Sequence, residues 1–555
     1  MKKIVIIGGM AAGCKTAARL KRLKPDYDIT IIEKQDFISY GTCGMPFYAS
    51  GDIDDFLDLA KTPWGMIRDD NYFIKSKKIN IKLSCEAIEI DKDNQKVICL
   101  DLKTNQQFTL DYDYLVLATG STPVKPNFPT PESDNISDFH DPLNAKKFKL
   151  KAQSGQIGSV AIIGGGFIGV ELAEATTSLW GIETHLIELT NRLMPQALDK
   201  ELSTLLENHL TKNDIKIYLN TSVSKIEKNQ DDSLKISLND NSQINADYVF
   251  LCLGIKPNTK LSQQIGIKHS KICGIKTNKQ LQTNIKNIYA AGDCIAVKDL
   301  ITNQDALYPF GSLANRQGRV IADVLAGKKS TFKGAIGTSS VKVFDLIIAS
   351  AGLNEYQANT LNLNYNCVWG TFYDRPDYMP ESQTLVAKLI YEKQTLRLLG
   401  LQLIGKGEIT RYIDTFSILA SNKKTAYDLL DYEHAYTPPH SGPLNPLNHL
   451  GAMAINQEID QINSLHPLSF QQFKGYIIDV REQSEINEIP LDNANLKLSI
   501  LDYHDKINDI PKDEQILVIC QKGPRSYEVA RTLINKGFKN VKYLGGGIQL
   551  LKSIF

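Results

Sequence analysis

The 555-residue chain lacks any apolar run approaching the length of about 18 residues that a membrane-spanning helix needs. It also lacks an excess of charge, because 63 lysine and arginine residues stand against 62 aspartate and glutamate residues, a formal net charge of +1. A balanced chain has no broad electrostatic attraction for nucleic acid or an acidic membrane surface. We therefore expect neither a nucleic-acid partner nor a membrane partner.

Paired CxxC motifs are absent as well, although the chain has nine cysteines. An odd number without such pairs fits thiols in a reducing compartment better than a disulfide framework or a zinc site. The apolar run near the first methionine is also too short for a signal peptide. These absences predict a cytoplasmic protein without a metal site, in which the reactivity of each cysteine depends on its neighbours.

The sequence does contain two copies of one pattern: an apolar strand, a glycine turn, a helix and a second strand. Hydrophobic residues make up 42% and charged residues 23%, which is ordinary for a globular protein, and the length predicts several domains. The copies span residues 3–33 and 159–188. Because each is a βαβ unit, they predict two dinucleotide sites.

The first glycine turn has Gly8 and Gly13 at the outer positions of GxGxxG, but Met10 replaces the middle glycine. Glu33 follows Gly8 by 25 residues, at the end of the next strand. A carboxylate there can bond ribose hydroxyls while a pyrophosphate rests on the helix N-terminus. A glycine turn that serves only helix packing is the alternative.

The second turn is complete, with Gly164, Gly166 and Gly169, and Glu188 follows 24 residues after the first of them. This arrangement predicts a nucleotide site. The acidic residue favours NADH, whose ribose carries a 2′-hydroxyl, although a nearby histidine and arginine leave NADPH possible.

Two further strand ends sharpen this interpretation. Thr119 and Gly120 close one apolar strand, and Asp293 follows Ala-Ala-Gly after another. Together with the paired turns, these motifs resemble the pyridine nucleotide-disulfide oxidoreductases. The resemblance implies that the first unit binds FAD, that the second binds NADH or NADPH, and that Asp293 contacts the flavin's ribityl or phosphate region. A turn or helix-cap aspartate is the alternative for Asp293.

The segment SYGTCGMP contains one cysteine, Cys43, where glutathione-reductase-like members carry a pair. Without a local disulfide, its oxidised form would be a mixed disulfide, a persulfide or a sulfenic acid. The spacing of Ser39 and Cys43 resembles that in coenzyme A-disulfide reductases, NADH oxidases, NADH peroxidases and persulfide reductases. This resemblance implies that Ser39 contacts the substrate. Ala11 stands where the oxidase and peroxidase branch has a histidine, which argues against oxygen or peroxide as the acceptor. A small buried cysteine is the structural alternative.

The same resemblance implies two sets of substrate contacts. Lys15, Arg19 and Arg22 lie close to one helix face, where they would bind the phosphates of coenzyme A, although a solvated basic face explains them almost equally well. Tyr436, in AYTPP, and Tyr378, in DYMPE, would come from the partner subunit of a homodimer. The first tyrosine is the better candidate for proton donation to a leaving thiolate.

The end of the chain resembles a rhodanese domain. Residues 479–482 read Asp-Val-Arg-Glu, and the loop CQKGPRS begins at Cys520 and includes Arg525. A cysteine between a strand and a helix N-terminus has backbone N–H groups that stabilise a thiolate or persulfide, and the arginine adds positive charge. An inactive domain used for docking is the alternative.

The expected fold is therefore α/β: Rossmann-like FAD and NAD(P)H domains, an α+β dimerisation domain and a C-terminal α/β rhodanese domain. The expected bounds are 1–121 and 256–328 for FAD, 122–255 for NAD(P)H, 329–450 for dimerisation, 451–463 for a linker and 464–555 for the rhodanese domain.

The expected activity is FAD-dependent, NAD(P)H-driven reduction of coenzyme A disulfide, coenzyme A persulfide or polysulfide. Cys43 would be the redox cysteine, and the rhodanese domain would handle persulfide sulfur. An NADH oxidase or peroxidase is one alternative, and a redox-sensing sulfur-carrier protein is another. The sequence does not decide the preferred acceptor, the nucleotide, or whether sulfur passes from Cys520 to Cys43.

Overall fold

The structure is a computed structural model that describes every residue from Met1 to Phe555. The chain forms two compact units, each assembled from separate stretches. The first unit contains Met1–Gly164, Leu172–Ile187 and Thr221–Ala335, and the second contains Gly165–Glu171, Glu188–Asn220 and Ile336–Phe555.

In chain order the strands are β1 Lys3–Ile7, β2 Asp28–Ile32, β3 Asn80–Lys82, β4 Cys85–Asp91, β5 Lys96–Asp101, β6 Gln107–Asp111, β7 Tyr114–Leu117, β8 Ser121–Pro123, β9 Ile136–Ser137, β10 Ser159–Ile163, β11 Glu183–Ile187, β12 Ile215–Tyr218, β13 Val223–Lys228, β14 Leu234–Leu238, β15 Gln243–Ala246, β16 Tyr248–Leu251, β17 Ile255–Pro257, β18 Ile288–Ala290, β19 Val297–Lys298, β20 Asp305–Ala306, β21 Ser339–Val343, β22 Leu346–Gly352, β23 Tyr365–Tyr373, β24 Thr384–Glu392, β25 Leu398–Gly405, β26 Asn463–Leu465, β27 Tyr476–Asp479, β28 Leu496–Lys497, β29 Ile516–Ile519 and β30 Val541–Leu544.

The α-helices are α1 Ala11–Leu23, α2 Met45–Ser50, α3 Pro142–Gln153, α4 Phe167–Thr177, α5 Lys200–Lys212, α6 Lys260–Gln264, α7 Gly311–Leu325, α8 Glu355–Thr360, α9 Thr410–Ser421, α10 Ala426–Asp431, α11 Pro446–Glu458, α12 Gln483–Glu488, α13 Tyr503–Lys506, α14 Pro524–Asn535 and α15 Gly547–Ile554. Short 3₁₀ turns lie at Thr42–Gly44, Phe56–Ala60, Pro467–Gln472 and Ile507–Asp509, and a π turn lies at Tyr72–Ser76. None of the helices has both the length and the apolar character needed to cross a membrane.

The first unit is organised around two parallel sheets. One has the order β18-β7-β1-β2-β3, and the other contains β9, β16, β10 and β11 as successive neighbours. Their apolar residues fill continuous runs, as expected for strands that are buried on both faces. Helix α1 approaches α7 closely, because a Cβ at Gly318 would lie only 2.5 Å from the carbonyl oxygen of Ala12. These sheets place both glycine turns at the carboxyl ends of central strands, as the sequence predicts.

The second unit contains two five-stranded sheets. The antiparallel sheet has the order β21-β22-β25-β24-β23, and the parallel sheet has the order β26-β30-β29-β27-β28. The antiparallel sheet carries α9 and α11 and matches the expected α+β domain. The parallel sheet packs against α14, as expected for the α/β domain at the end of the chain.

The prediction of a polar linker over residues 451–463 is wrong for its first part, because α11 continues to Glu458. Gln457 is 4% exposed, and its amide donates to the carbonyl oxygen of Cys367 at 3.0 Å and accepts from the N–H of Ser464 at 3.0 Å. The Gln457 side chain therefore does not mark a linker. It forms hydrogen bonds between α11 and the neighbouring residues of the same unit. Helix α1 begins at Ala11, so the last part of the GxGxxG segment already belongs to the helix.

Candidate active sites

The first glycine turn is closed by backbone contacts that only glycine permits. Gly8 has φ +112°, and a Cβ there would lie 2.0 Å from the carbonyl oxygen of Ala118. A Cβ at Gly13 would lie 1.9 Å from the carbonyl oxygen of Gly8. The backbone therefore passes tightly from β1 into α1, which a side chain at either position would prevent.

Glu33 fixes this turn from the end of β2. One carboxylate oxygen accepts from the Gly9 N–H at 2.6 Å, and the other accepts from the Gln35 N–H at 2.9 Å. Burial raises the pKa of Glu33, although these backbone hydrogen bonds act in the opposite direction. The carboxylate thus lies at the rim of the turn, where a nucleotide ribose would meet it.

The other predicted FAD residues belong to the same unit. Thr119 donates to the carbonyl oxygen of Asn258 at 2.7 Å, while Gly120 has φ +66° and faces open space. Asp293 accepts from the Ser121 hydroxyl at 3.4 Å, and burial raises its pKa. A half-buried acidic group with one weak hydrogen-bond partner fits a role in binding a polar ligand, so these residues fit FAD.

The second glycine turn repeats the first. Gly164 has φ +114°, and a Cβ there would lie 2.2 Å from the carbonyl oxygen of Cys252. Glu188 accepts from the Gly165 N–H at 2.7 Å and from the Thr190 N–H at 2.8 Å. A Cβ at Gly166 would meet open space, as expected where a pyrophosphate approaches the backbone. The second turn therefore also fits a dinucleotide, and Gly169 is the third residue of α4.

Cys43 is exposed in the 3₁₀ turn Thr42–Gly44. The flanking glycines hold this turn against the next one, since the Gly41 N–H donates to the carbonyl oxygen of Leu59 at 2.9 Å. A Cβ at Gly44 would lie 2.4 Å from the Leu59 side chain. The glycines therefore pack the backbone closely while the thiol stays accessible.

Cys14 differs in every respect. It is 7% exposed, and its thiol donates to the carbonyl oxygen of Gly9 at 2.9 Å. Burial raises its pKa to about 12, which disfavours a reactive thiolate. Ser39, the predicted substrate contact, lies beside the first turn, with φ +58° and its N–H donating to the Gly9 carbonyl oxygen at 3.0 Å.

The three predicted coenzyme A contacts on α1 have different surroundings. Arg19 forms an ion pair with Asp323 at 2.6 Å, so its charge is already partnered within the unit. Lys15 is half-buried and Arg22 is exposed. Of these three residues, Lys15 and Arg22 therefore remain to bind a substrate phosphate.

The predicted tyrosines lie on the surface of the second unit. Tyr378 is 69% exposed, and Tyr436 is 51% exposed in the irregular segment between α10 and α11. Large exposed aromatic side chains of this kind suit contact with a second subunit.

The loop after β29 encloses Cys520, which is 0% exposed. Its sulfur accepts from the Gly523 N–H at 3.1 Å and donates to the Ser526 hydroxyl at 3.4 Å. Gly523 has φ +128° and precedes α14, so the helix N-terminus follows the sulfur directly. These N–H groups stabilise negative charge on the sulfur.

Arg525 forms an ion pair with Glu485 beside this loop. Its guanidinium donates to both carboxylate oxygens of Glu485, at 2.7 and 2.6 Å. The hydrogen bond from Arg525 lowers the pKa of Glu485. Arg481 is 1% exposed and bonds Asp479 and the carbonyl oxygen of Ile489, which fixes the segment that carries Glu485.

The sequence interpretation missed a buried charge cluster in the second unit. The Lys388 ammonium is 0% exposed and pairs with Asp199 at 2.9 Å, Glu201 at 2.5 Å and Glu355. Burial acts to lower the pKa of Lys388, but the three carboxylates raise it. One signal in the sequence was the lysine itself, which interrupts the otherwise apolar strand β24. The ammonium lies between the carboxylates, so this cluster is an ion-pair network.

Two glycine-turn nucleotide sites and an exposed cysteine that is the single cysteine of its turn define a two-nucleotide oxidoreductase, which also carries a cysteine loop of the rhodanese type. The chain belongs to the pyridine nucleotide-disulphide oxidoreductase family, whose profile matches residues 2–316. The dimerisation domain of that family matches residues 338–445, and a rhodanese-like domain matches residues 464–553. FAD and NAD(P)H are therefore its cofactors, and the sequence prediction of family and fold is confirmed.

Three relatives extend the comparison. A NAD(P)H coenzyme A polysulfide/persulfide reductase of Pyrococcus horikoshii is 31% identical over 80% of this chain and 97% of its own length. A NAD-dependent persulfide reductase from A. fulgidus is 34% identical, covers 99% of both chains and has a TM-score of 0.93. The reduced CoADR-RHD of Bacillus anthracis is 30% identical, covers 100% of this chain and 98% of its own, and also has a TM-score of 0.93.

Proposed function

We propose that this chain is an FAD-dependent, NAD(P)H-driven reductase of coenzyme A persulfide, polysulfide or coenzyme A disulfide. The observation that carries the proposal is the exposed Cys43, the one cysteine of its turn, in a chain with two strand-to-turn nucleotide motifs. The names of the relatives support the same substrate class. We place the enzyme in the cytoplasm because its odd number of cysteines lacks CxxC pairs.

Cys43 begins the reaction as a thiolate. It attacks one sulfur of the acceptor and forms a new sulfur–sulfur bond, while the acceptor's own sulfur–sulfur bond breaks and the leaving thiolate or hydrosulfide takes the electron pair. Bound FAD and NAD(P)H supply hydride chemistry, two electrons for each turnover. When those electrons reach the mixed disulfide, its bond breaks, Cys43 returns to the thiolate and the second thiol leaves with a proton.

Cys520 handles sulfur in its own loop. Its thiolate attacks the sulfane sulfur of a persulfide or polysulfide, and the donor leaves one sulfur atom shorter. The Gly523 N–H and the N-terminus of α14 stabilise the charge on the resulting persulfide. Arg525, paired with Glu485, keeps the loop in place.

Substrate contacts follow from exposure and charge. Lys15 and Arg22 bind the phosphates of coenzyme A, and Ser39 lies beside the first glycine turn. The dimerisation domain supports a homodimer in which the partner's copy of the exposed Tyr436 donates a proton to the leaving thiolate, with Tyr378 beside the substrate.

An NADH oxidase is less favoured. Ala11 stands at the first residue of α1 and offers no side chain that could exchange a proton with peroxide. A sensor or sulfur carrier would not turn over NADH with a small sulfur acceptor.

The test is anaerobic NADH consumption by wild type, Cys43→Ser and Cys520→Ser, each with coenzyme A disulfide, coenzyme A persulfide and polysulfide. We expect Cys43→Ser to keep FAD and lose turnover with every acceptor, and Cys520→Ser to slow only the sulfane-sulfur substrates. Full turnover by Cys43→Ser would exclude the mechanism. Turnover that begins only after air is admitted would establish the oxidase.

A further inference from the structure

The segment that carries Cys43 forms a closed loop in the first unit. Residues 41–44 lead directly into α2, and the chain then returns through the 3₁₀ turn Phe56–Ala60. That turn contacts both glycines beside the cysteine, because the Gly41 N–H donates to the backbone carbonyl of Leu59 and Gly44 packs closely on the Leu59 side chain. The position of Cys43 therefore depends on how this loop is held at its far side.

Lys149 of α3 holds one point on that far side. Its ammonium donates to the carbonyl oxygens of Ile53 at 2.7 Å and Asp54 at 2.9 Å, and it lies 4.2 Å from the centre of the Tyr48 ring. The side chain is 4% exposed, which is rare for a lysine. Burial lowers its pKa, and Asp54 and Asp55 act to raise it.

Trp180, just after α4, holds a second point. Its indole N–H donates to the carbonyl oxygen of Ala49 at 2.7 Å, near the end of α2. The ring also packs against Gly51, where φ is +94° and a Cβ would lie 3.2 Å from the indole and 2.3 Å from Leu179. The end of α2 is therefore enclosed by side chains from the predicted nucleotide domain, residues 122–255.

These contacts connect two elements of the predicted NAD(P)H domain to the segment that follows the redox cysteine. Each uses a directional hydrogen bond to a backbone carbonyl, which fixes position better than apolar packing does. We propose that Lys149 and Trp180 are positioning residues for Cys43. They act through α2 and its following loop and do not touch the substrate. The inference rests on the proposed role of Cys43.

The variants that test it are Lys149→Met, which keeps the apolar stem and removes the ammonium, and Trp180→Phe, which keeps a ring and removes the N–H. Lys147→Met is the matched control for the first, because Lys147 lies on the same helix and pairs with the exposed Asp134 at 3.2 Å. Trp64→Phe is the control for the second, because Trp64 is 71% exposed.

Alkylation of Cys43 by iodoacetamide, followed by mass spectrometry across a pH series, is the first readout. The exposed Cys273 serves as the internal standard. We expect both test variants to change the Cys43 rate at least about threefold and to displace its pH profile, with Cys273 and both controls unchanged. Small misplacements of a reacting group cost up to about 100-fold in rate, so kcat should fall about 10-fold or more while the KM for NADH stays constant.

Unchanged Cys43 alkylation and unchanged kcat in folded Trp180→Phe would overturn the inference. If Lys149→Met fails to fold, Trp180→Phe decides alone, because its change is the smaller one. If the wild type reduces none of the three sulfur acceptors, the proposed function fails. The alkylation profile would still test the positioning of Cys43.

Discussion

Cys43 is exposed in a glycine-flanked turn of the first unit, whereas Cys520 is fully buried at the end of a strand in the second. Both sulfurs belong to tight backbone turns, but the first turn leaves the sulfur accessible and the second hydrogen-bonds to it. Around Cys43, glycine allows the backbone to pack against Leu59 while the side chain remains outside. Around Cys520, the backbone N–H of Gly523 and the hydroxyl of Ser526 face the sulfur itself.

The comparison separates access from stabilisation. An exposed thiol can be reached by a bulky acceptor such as a coenzyme A derivative. An enclosed thiol with N–H donors stabilises a sulfur anion but admits only a small group unless its loop opens. The two cysteines are therefore suited to different steps, reduction of a large substrate and storage of a single sulfur atom.

The largest expected difference is in their reaction with a bulky maleimide. Because Cys520 has to be uncovered by local opening, we expect Cys43 to react at least about 100-fold faster in the native protein. Timed quenching and mass spectrometry of the labelled peptides measure both rates in one sample. Cys273 and Cys14 serve as the exposed and the buried references.

Labelling of Cys520 as fast as Cys273 would remove the contrast. It would mean that the loop is open in solution. Cys14 should stay unlabelled from pH 7 to 9.5, because its pKa is raised to about 12 and its thiol remains protonated and buried.

Much of this contrast could be predicted from the sequence. The glycine spacing and the carboxylates Glu33 and Glu188 predicted both nucleotide turns, because local backbone geometry requires glycine at those positions. The CQKGPRS loop likewise predicted N–H donors around Cys520. In each case the information lies within a short segment, where spacing translates directly into geometry.

The contacts that could not be predicted are those between residues far apart in the chain. Lys388 meets Asp199 and Glu201 across almost two hundred positions, so no local pattern reports their pairing. The same is true of Lys149, whose partners are backbone carbonyls that any sequence would supply. Gln457 falls within the predicted linker because its hydrogen bonds to Cys367 and Ser464 depend on the tertiary fold, which the local sequence does not report.

A second prediction tests whether the Gly523 N–H stabilises negative charge on the Cys520 sulfur. Gly523→Ala places a Cβ in open space but at φ +128°, so its whole effect comes from backbone strain of about 1–3 kcal/mol. The N–H should move away from Cys520, and sulfur transfer from persulfide or polysulfide should fall about 10-fold. Coenzyme A disulfide reduction through Cys43 should not change.

Gly537→Ala is the matched control, because Gly537 has φ +91°, open space around a Cβ and a position beyond the far end of α14. It should strain the backbone of the same domain and leave sulfur transfer intact. Equal loss in both variants would show that general destabilisation, not the N–H donor, limits the reaction.

The smallest expected effect concerns the ion pair between Arg525 and Glu485 beside the Cys520 loop. Arg525 lowers the pKa of Glu485 below its unfolded value of about 4.3, so the pair stabilises the folded domain above that pH. The stabilisation is lost as pH falls through the lower, folded pKa. Because both side chains are about a quarter exposed, we expect about 0.5–1 kcal/mol.

Urea unfolding at pH 7 and pH 3, followed by circular dichroism, compares wild type with Glu485→Gln. The variant should be less stable at pH 7 and should lose less stability on acidification, because it has no carboxylate to protonate. Glu488→Gln is the control, since Glu488 is exposed on the same helix. This variant should lose as much stability between pH 7 and pH 3 as the wild type. Identical losses in wild type and Glu485→Gln would mean that the ion pair orients the loop without stabilising the fold, and stabilisation around Cys520 would then rest on the Gly523 N–H and the N-terminus of α14.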